Sequence, residues 1–359
     1  MKHPGRLAKI REIISAVGPQ ALLVTKPANV RYLSGFTARE ASLLILPDRA
    51  WIVSDFRYAL QAEQEAPGFE FVRVQQPMPD LAGRIRELGL ASLAFEPGHL
   101  TVQQHAELSQ HLPDIQLVGV PDAVESLRLA KDEEEIFLIR KAARLADAAM
   151  DLLWKSVAPG KSERELALEV ELFIRRSGAD DVAFEVIVAS GPRAAMPHAT
   201  PSERRIAPGD LVIMDLGACC EGYRSDLTRT VVVGEASDTA KRIYEVCYEA
   251  QQAGLAALKA GVPCAEVDAA ARVLIERAGY GGYFGHGLGH GVGLEIHEAP
   301  RLSSTETTRI LEPRMVVTVE PAIYLPSVGG VRIEDLVLVT EKQSEVLTRS
   351  RKPATIPEV

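Results

Sequence analysis

The sequence predicts an α+β protein of two domains: a small α/β module with a mixed sheet, then a larger part built from a duplicated helix–helix–hairpin unit. Three observations lead there. At 359 residues the chain exceeds the ~250–300 residues at which single cores stop growing. Up to residue 122, short apolar runs alternate with helical patterns, and beyond about 125 the pattern changes to long helices. Finally, one stretch of the larger part recurs about a hundred residues later. The expected domains are 1–124 and 125–359.

In the first domain, strands are expected at 21–25 (ALLVT), 42–46 (SLLIL), 50–54 (AWIVS), 69–74 (FEFVRV), 91–95 (ASLAF) and 115–120 (IQLVGV). Helical patterns fill 6–16, 56–66, 79–88 and 101–111. A long helix is expected over 131–157. Its opening DEEE run (132–135) reads as a solvated first turn, where acids suit the helix dipole, rather than as a metal-binding tract. APGKSERELALEVELFIRRSGA (158–179) then resembles AGVPCAEVDAAARVLIERAGY (260–280). With Gly178 set against Gly279, Leu166 meets Val267, Phe173 meets Leu274 and Arg176 meets Arg277. Each copy follows a long helix (131–157 and 238–259) and precedes a strand-rich stretch with two carboxylates. A duplication about a pseudo-twofold axis accounts for this.

Composition excludes several classes. A hydrophobic fraction of 47% and a charged fraction of 25% are those of a soluble globular protein. The net charge is −9 with no basic block, so nucleic acid is not an expected partner. No run approaches the ~18 apolar residues of a membrane helix. The opening MKHPGRLAKIREII lacks the apolar core of a secretory signal. Cys219, Cys220, Cys247 and Cys264 show no CxxC spacing, and a reduced cytoplasmic compartment is expected.

The strand-rich stretches carry acids that do not suit strands. DLVIMDLGACCEGYRSDLTRTVVVG (210–234) reads as a hairpin turning near Glu221-Gly222, which sets Asp215 opposite Asp226. Facing aspartates destabilise a ladder unless a cation lies between them; an Asp capping a turn is the bland alternative. MVVTVEPAIYLPSVGGVRIEDLVLVT (315–340) repeats the pattern, with a turn near 327–330 and Glu320 roughly opposite Glu334. Arg332, on the Glu334 face, offers an ion pair for one acid but not for four. Buried carboxylates otherwise require protonation, ion pairs or a metal.

GHGLGHGVGLEIHE (285–298) adds histidines on a glycine-alternating backbone. The spacing is neither GxGxxG nor a P-loop. Read as an extended segment, one face is glycine and the other carries His286, Leu288, His290, Val292 and Leu294. Glycine there marks close approach of another backbone or a ligand. Two Asp, two Glu and an imidazole match two divalent cations, with Mn²⁺, Co²⁺ or Fe²⁺ favoured over a thiolate-rich zinc site. Paired ions about 3.5–4 Å apart can activate a water and polarise a carbonyl, so metal-assisted hydrolysis is the expected reaction class.

These motifs resemble those of the pita-bread metallopeptidases, which include methionine aminopeptidase, aminopeptidase P and prolidase. The resemblance covers residues ~125–350 and implies five metal ligands: Asp215 in MDLGA, Asp226 in YRSDLTRT, His290 in GHGVGLEIHE, Glu320 in TVEPAIY and Glu334 in VRIED. It further implies that Glu320 is the general base toward a metal-bridging water. His198 (PHATPS) and His297 (GLEIHE) would hydrogen-bond the substrate carbonyl, Arg332 would orient the carboxylates, and Thr228 would touch the bridging water. His286 is not a ligand position in the family, and Arg301 (HEAPRLS) is a candidate for holding a substrate carboxylate. Without its context, His198 would read as a surface residue.

NVRYLSGF (29–36) and SDFRYALQAEQEAP (54–67) resemble the non-catalytic domain of the prolidase and aminopeptidase P branch, which methionine aminopeptidases lack. The expected activity is therefore Xaa-Pro dipeptide hydrolysis, with Xaa-Pro aminopeptidase activity on longer peptides as the alternative. A dipeptidase needs a cation near the proline ring, and Arg301 suits it. Arg39 (GFTAREASL) would serve only if its loop reaches a neighbouring subunit; the resemblance implies a homodimer. Creatinase and pita-bread binding modules have lost the acidic ligands, which makes a non-catalytic module the remote alternative.

Overall fold

The computed structural model describes residues 4–359 and divides into two compact units, Met1–Arg128 and Leu129–Val359. The first unit contains α1 (Pro4–Val17), β1 (Leu22–Val24), α2 (Pro27–Ser34), β2 (Ser42–Ile45), β3 (Ala50–Ser54), α3 (Ala59–Glu65) and β4 (Glu70–Arg73). It continues through α4 (Pro77–Glu87), β5 (Ser92–Phe95), α5 (Val102–His111), β6 (Gln116–Gly119) and α6 (Glu125–Arg128). The six strands form one sheet in the order β4-β3-β2-β1-β5-β6. It is mixed: β2 runs antiparallel to β1 and β3, while the β3–β4, β1–β5 and β5–β6 pairs are parallel. Each expected strand is present.

Helix α2 is absent from the periodicity reading, yet its ends are written in the sequence. Pro27 opens it with a fixed φ and no N–H to waste, and Gly35 closes it at φ 77°. The N-cap residue Lys26 supplies no side-chain acceptor. Glu96, just beyond β5, instead anchors the chain entering the helix, accepting from Thr25 N (2.7 Å), Lys26 N (2.9 Å) and Asn29 Nδ2 (2.6 Å).

The second unit begins with two helices packed against each other, α7 (Glu133–Ser156) and α8 (Glu163–Arg176). Strands β7 (Asp181–Val182), β8 (Ile187–Ser190), β9 (Leu211–Leu216), β10 (Ala218–Cys220), β11 (Tyr223–Arg224) and β12 (Leu227–Val232) follow. Then come α9 (Asp238–Ala257), α10 (Cys264–Arg277), β13 (Gly289–Gly291), β14 (Glu298–Leu302) and β15 (Val316–Val319). The last strands are β16 (Ala322–Leu325), β17 (Gly329–Arg332), β18 (Asp335–Leu338) and β19 (Glu345–Val346).

The duplication is explicit. One spacing, 101 residues, separates Glu163 from Cys264 at the starts of α8 and α10, Arg176 from Arg277 at their ends, and Gly178 from Gly279 beyond them. Both glycines hold the left-handed conformation, φ 92° and 88°. Leu166 and Val267 are fully buried, and Phe173 and Leu274 are half-buried. Each copy has its own apolar core. One joins Ala146, Leu153, Leu166 and Val170 to Met214 and Val231; the other joins Ile243, Val267 and Ile275 to Val317 and Val337. This is the arrangement that the resemblance implies.

Two expectations need correction. Asp132 caps α7 reciprocally with Glu135, and Glu133 and Glu134 are exposed, but Glu135 is buried and accepts from Tyr223 Oη (2.9 Å). The DEEE run is thus not wholly solvated. The glycine-alternating segment is also not extended throughout: only Gly289–Gly291 forms a strand, with a bulge after His290.

Candidate metal centre

The acids lie where ladders break. Asp215 is the penultimate residue of β9 and Asp226 immediately precedes β12. The connecting turn is Glu221-Gly222 as expected, with positive φ at both (46° and 78°). The register that follows differs from the expected one: Asp215 faces Thr228, and Asp226 lies two residues away on the same face. The ladder is interrupted at Gly217, where the Ser225 carbonyl occupies the space of any Cβ. Glu320 directly follows β15 and Glu334 directly precedes β18. The flanking pairs Val319↔Asp335 and Ala322↔Arg332 set these glutamates opposite each other, as expected. Pro321, which has no N–H, ends the ladder between them.

Backbone hydrogen bonds then draw the two breaks together. Glu320 N donates to Leu288 O (2.8 Å), tying it to the histidine strand, and Glu334 N donates to Thr228 O (3.1 Å) on β12. His290 comes from β13, where the Thr318 carbonyl fills the Cβ space of Gly289 and the Ala299 carbonyl that of Gly291. The bare backbone therefore admits neighbouring strands on both sides. His290 Nδ1 hydrogen-bonds Gly291 O (3.0 Å), so Nδ1 carries hydrogen and Nε2 points at the acids. It lies 3.3 Å from Glu320 Oε1 and 3.7 Å from Asp226 Oδ2. Donor atoms of Asp226, His290 and Glu334 all lie within 4.8 Å of one another.

The electrostatics are those of a site that wants positive charge. Burial pushes the Asp226 and Glu334 carboxyls well above the usual range; Glu334 and Asp215 push Asp226 further, as Glu320 and Asp215 do Glu334. Burial also raises Asp215, against the Arg332 guanidinium. Burial would raise Glu320 too, but its hydrogen bond and attraction to His290 outweigh it and hold the carboxyl at about 2. Burial works against a charged His290, yet Glu320 wins and raises it. Asp215 Oδ2 pairs with Arg332 Nη2, while Asp215 Oδ1 is buried with no partner among the described residues. An orphaned carboxylate oxygen costs roughly 1–3 kcal/mol or more. A cation coordinated by these oxygens and one imidazole would satisfy it, so the residues present fit divalent metal.

Around this core, Thr228 Oγ1 donates to Glu334 Oε2 (2.6 Å) and accepts from Arg332 Nε (3.1 Å). Arg332 therefore pairs with Asp215 rather than with Glu334, the neighbour its strand face suggested. Its Nη1 donates to Tyr324 Oη (2.8 Å) and to Pro197 O (3.1 Å). His286 is half-buried, with Nδ1 at Gly287 O (2.8 Å), and its Nε2 accepts from Tyr324 Oη (3.3 Å). His297 is exposed, its ring centroid 4.2 Å from that of His290. Burial lowers its pKa, and His290, His198 and Arg301 lower it further, against Glu320. His198 and Arg301 thus lie within electrostatic reach of His297, both exposed, and Arg301 pairs with His290 across the β13–β14 ladder. Arg39 is exposed in the first unit.

Sequence reasoning missed Tyr324, Thr318 and Asp335. Thr318 Oγ1 accepts from His290 N (3.1 Å) and donates to Glu320 Oε1 (3.1 Å). Asp335 pairs with Arg229 (2.8 Å) and Lys352, and Arg229 also donates to the Glu334 carbonyl, bracing that glutamate from behind. Only the ED dipeptide of VRIED hinted at a second buried acid.

Residues 138–341 match metallopeptidase family M24, and residues 6–130 match the creatinase/prolidase N-terminal domain. The chain belongs to metallopeptidase family M24. Among its M24 relatives, an Xaa-Pro dipeptidase of Pyrococcus horikoshii is 39% identical, covering 97% of each chain. The structure of an Xaa-Pro dipeptidase from Bacillus anthracis superposes with a TM-score of 0.94 at 42% identity, covering 99% of each chain. That of an X-Pro aminopeptidase from Thermotoga maritima gives 0.91 at 36% identity, covering 98% of this chain and 99% of the other. The M24 chain is a metallopeptidase of the prolidase and aminopeptidase P branch. No helix of its described residues is long and apolar enough to cross a membrane.

Proposed function

We propose that the protein is an Xaa-Pro dipeptidase using two divalent ions, held by Asp215, Asp226, His290, Glu320 and Glu334. The observation that carries the reading is the convergence of three of these donors within 4.8 Å beside an unsatisfied Asp215 oxygen. Bound ions would supply a Lewis acid and an activated water. Glu320 would serve as the general base, taking up the proton of the attacking water and delivering it to the leaving proline nitrogen. The His198 and His297 imidazoles donate N–H to the carbonyl oxygen as charge develops there, each worth roughly 10²–10³ in rate. Arg332 holds one oxygen of Asp215 and Thr228 one oxygen of Glu334, leaving the others for metal.

Arg301, exposed opposite His290, is suited to bidentate capture of the free carboxylate of a dipeptide. The Pyrococcus and Bacillus similarities favour the dipeptidase, whereas the Thermotoga X-Pro aminopeptidase supports a second reading on longer peptides. Oxygen-rich ligation favours Mn²⁺, with Co²⁺, Fe²⁺ or Zn²⁺ as substitutes. Four free buried thiols support a cytoplasmic location, and the family resemblance supports a homodimer. Hydrolysis of Ala-Pro is to be compared with that of Ala-Pro-Ala; faster turnover of the tripeptide overturns the dipeptidase assignment in favour of the aminopeptidase.

A further inference from the structure

Outside the metal centre, one buried carboxylate collects five hydrogen bonds. Glu163, the first residue of α8, is 0% exposed. Its Oε1 accepts from Ser190 N (2.8 Å) and Ser190 Oγ (2.8 Å). Its Oε2 accepts from Arg193 Nε (3.0 Å), Ser202 N (3.0 Å) and Ser202 Oγ (2.7 Å). Every one of these donors lies in the segment 190–202, which carries His198. Burial alone would raise the carboxyl, but the Ser202 and Ser190 donors outweigh it and lower it.

The segment is fixed on both sides of His198 while the imidazole itself stays exposed. Before it, Pro197 O accepts from Arg332 Nη1 (3.1 Å). After it, Ala199 is buried against Ile187 and Ala189, and Thr200 O accepts from Arg193, the residue that Glu163 grips. Ser190 ends β8, which pairs with β9 such that Ile187 faces Asp215. Glu163 therefore refers the His198 loop to the strand that carries Asp215. A loop that merely closed the surface would gain nothing from a buried charge, which is costly unless fully hydrogen-bonded.

We propose that Glu163 is a positioning residue that sets His198 relative to the metal-binding strands. This rests on the reading of His198 as a donor to the substrate carbonyl. Glu163→Gln keeps the volume but turns an N–H₂ toward donors. Displacing a catalytic group by about 1 Å costs on the order of 100-fold. The variant should therefore lose roughly 10- to 100-fold in kcat on Ala-Pro, with KM and metal content unchanged. In a His198→Ala background the same change should cost less than about threefold, because the two act as one unit. In protein stripped of metal, the His198 imidazole NMR signal, assigned by its loss in His198→Ala, should shift or broaden in Glu163→Gln. If Glu163→Gln is insoluble, Ser202→Ala removes one donor and keeps the backbone bond. It should show the same non-additivity with a smaller loss. Full additivity with His198→Ala, or an unmoved His198 signal, overturns the positioning role. A His198→Ala variant with unchanged kcat instead overturns the reading of His198 itself.

Discussion

Thr228→Val isolates the contribution of one hydroxyl to metal retention. Valine matches threonine in shape, so packing is conserved while two buried hydrogen bonds vanish: the 2.6 Å donation to Glu334 Oε2 and the 3.1 Å acceptance from Arg332 Nε. Both partners are nearly inaccessible, Glu334 at 2% and Arg332 at 4% exposure, so water cannot replace the lost groups. Leaving the Arg332 N–H unsatisfied costs about 1–3 kcal/mol of fold stability, a fall in Tm of about 2–4 °C per kcal/mol for a unit of this size. Metal binding suffers separately. The hydroxyl donor favours the ionised Glu334 that a metal requires, and removing such a supporting bond costs about 10- to 100-fold in affinity. Titration calorimetry of Mn²⁺ into wild-type and variant protein at pH 7.5 reads this directly. A dissociation constant unchanged within twofold would refute the assignment of Thr228 as the group that holds Glu334 for the ion.

His290→Ala should abolish stoichiometric Mn²⁺ by elemental analysis, whereas His297→Ala should retain metal and lose about 10²–10³ in kcat. Equal metal loss in both would contradict the division of labour between the two imidazoles. Gly289→Ala drives a methyl into the Thr318 backbone carbonyl, which cannot rotate aside. It should cost about 3 kcal/mol or more, read by denaturant melts, and an unchanged midpoint would show that β13 and β15 lie further apart. Without metal the two buried carboxyls, shifted furthest, set the sign of the pH dependence against His286 and His297, whose lowered pKa values oppose them below about 6.5. Asp226 and Glu334 are raised well above their unfolded range near pH 4, so their stability contribution is present below that range and lost as pH rises through the shifted values. His290, also raised, acts in the same direction above about 6.5, whereas Glu320, held at about 2, contributes a constant amount above pH 4.5. Chelated protein should thus melt lower at pH 8 than at pH 5. Metal should release protons on binding, seen as a buffer-dependent heat; a chelated protein more stable at pH 8 contradicts the scheme.

Much of this was legible in the residues, for identifiable reasons. The six strands of the first unit announce themselves as short apolar runs, and the two α8-like helices by a shared 101-residue spacing. Asp215, Asp226, Glu320 and Glu334 stood out because acids are poor strand residues. What failed was geometry that periodicity does not encode. The Asp hairpin turn was located correctly, but a two-residue Glu221-Gly222 turn makes Cys220 face Tyr223 and hence Asp215 face Thr228. Likewise, Arg332 lies two residues from Glu334 yet reaches across to β9, and Glu163 grips residues 27–39 positions away. Such pairs depend on how the strands and helices stack in three dimensions.

The breaks in the ladders link the fold to the chemistry. A continuous antiparallel ladder would keep facing acids in fixed pairs about 4.5–5.5 Å apart between Cβ atoms, with no second pair beside them. Gly217 and Pro321 each end a ladder beside an acid pair, one by admitting a carbonyl where a Cβ would stand, the other by lacking an N–H. The freed backbone then bonds elsewhere: Glu334 N reaches across to Thr228 of the other half, while Glu320 N bonds Leu288 beside the histidine strand of its own half. Each half supplies two carboxylates, and neither copy alone could gather four of them with an imidazole. The duplication thus builds two apolar cores, the second of which also takes in Leu211 and Val232 of the first half, and one shared polar seam. The cost of that seam, raised carboxyls and an orphaned Asp215 oxygen, is what a divalent cation would remove.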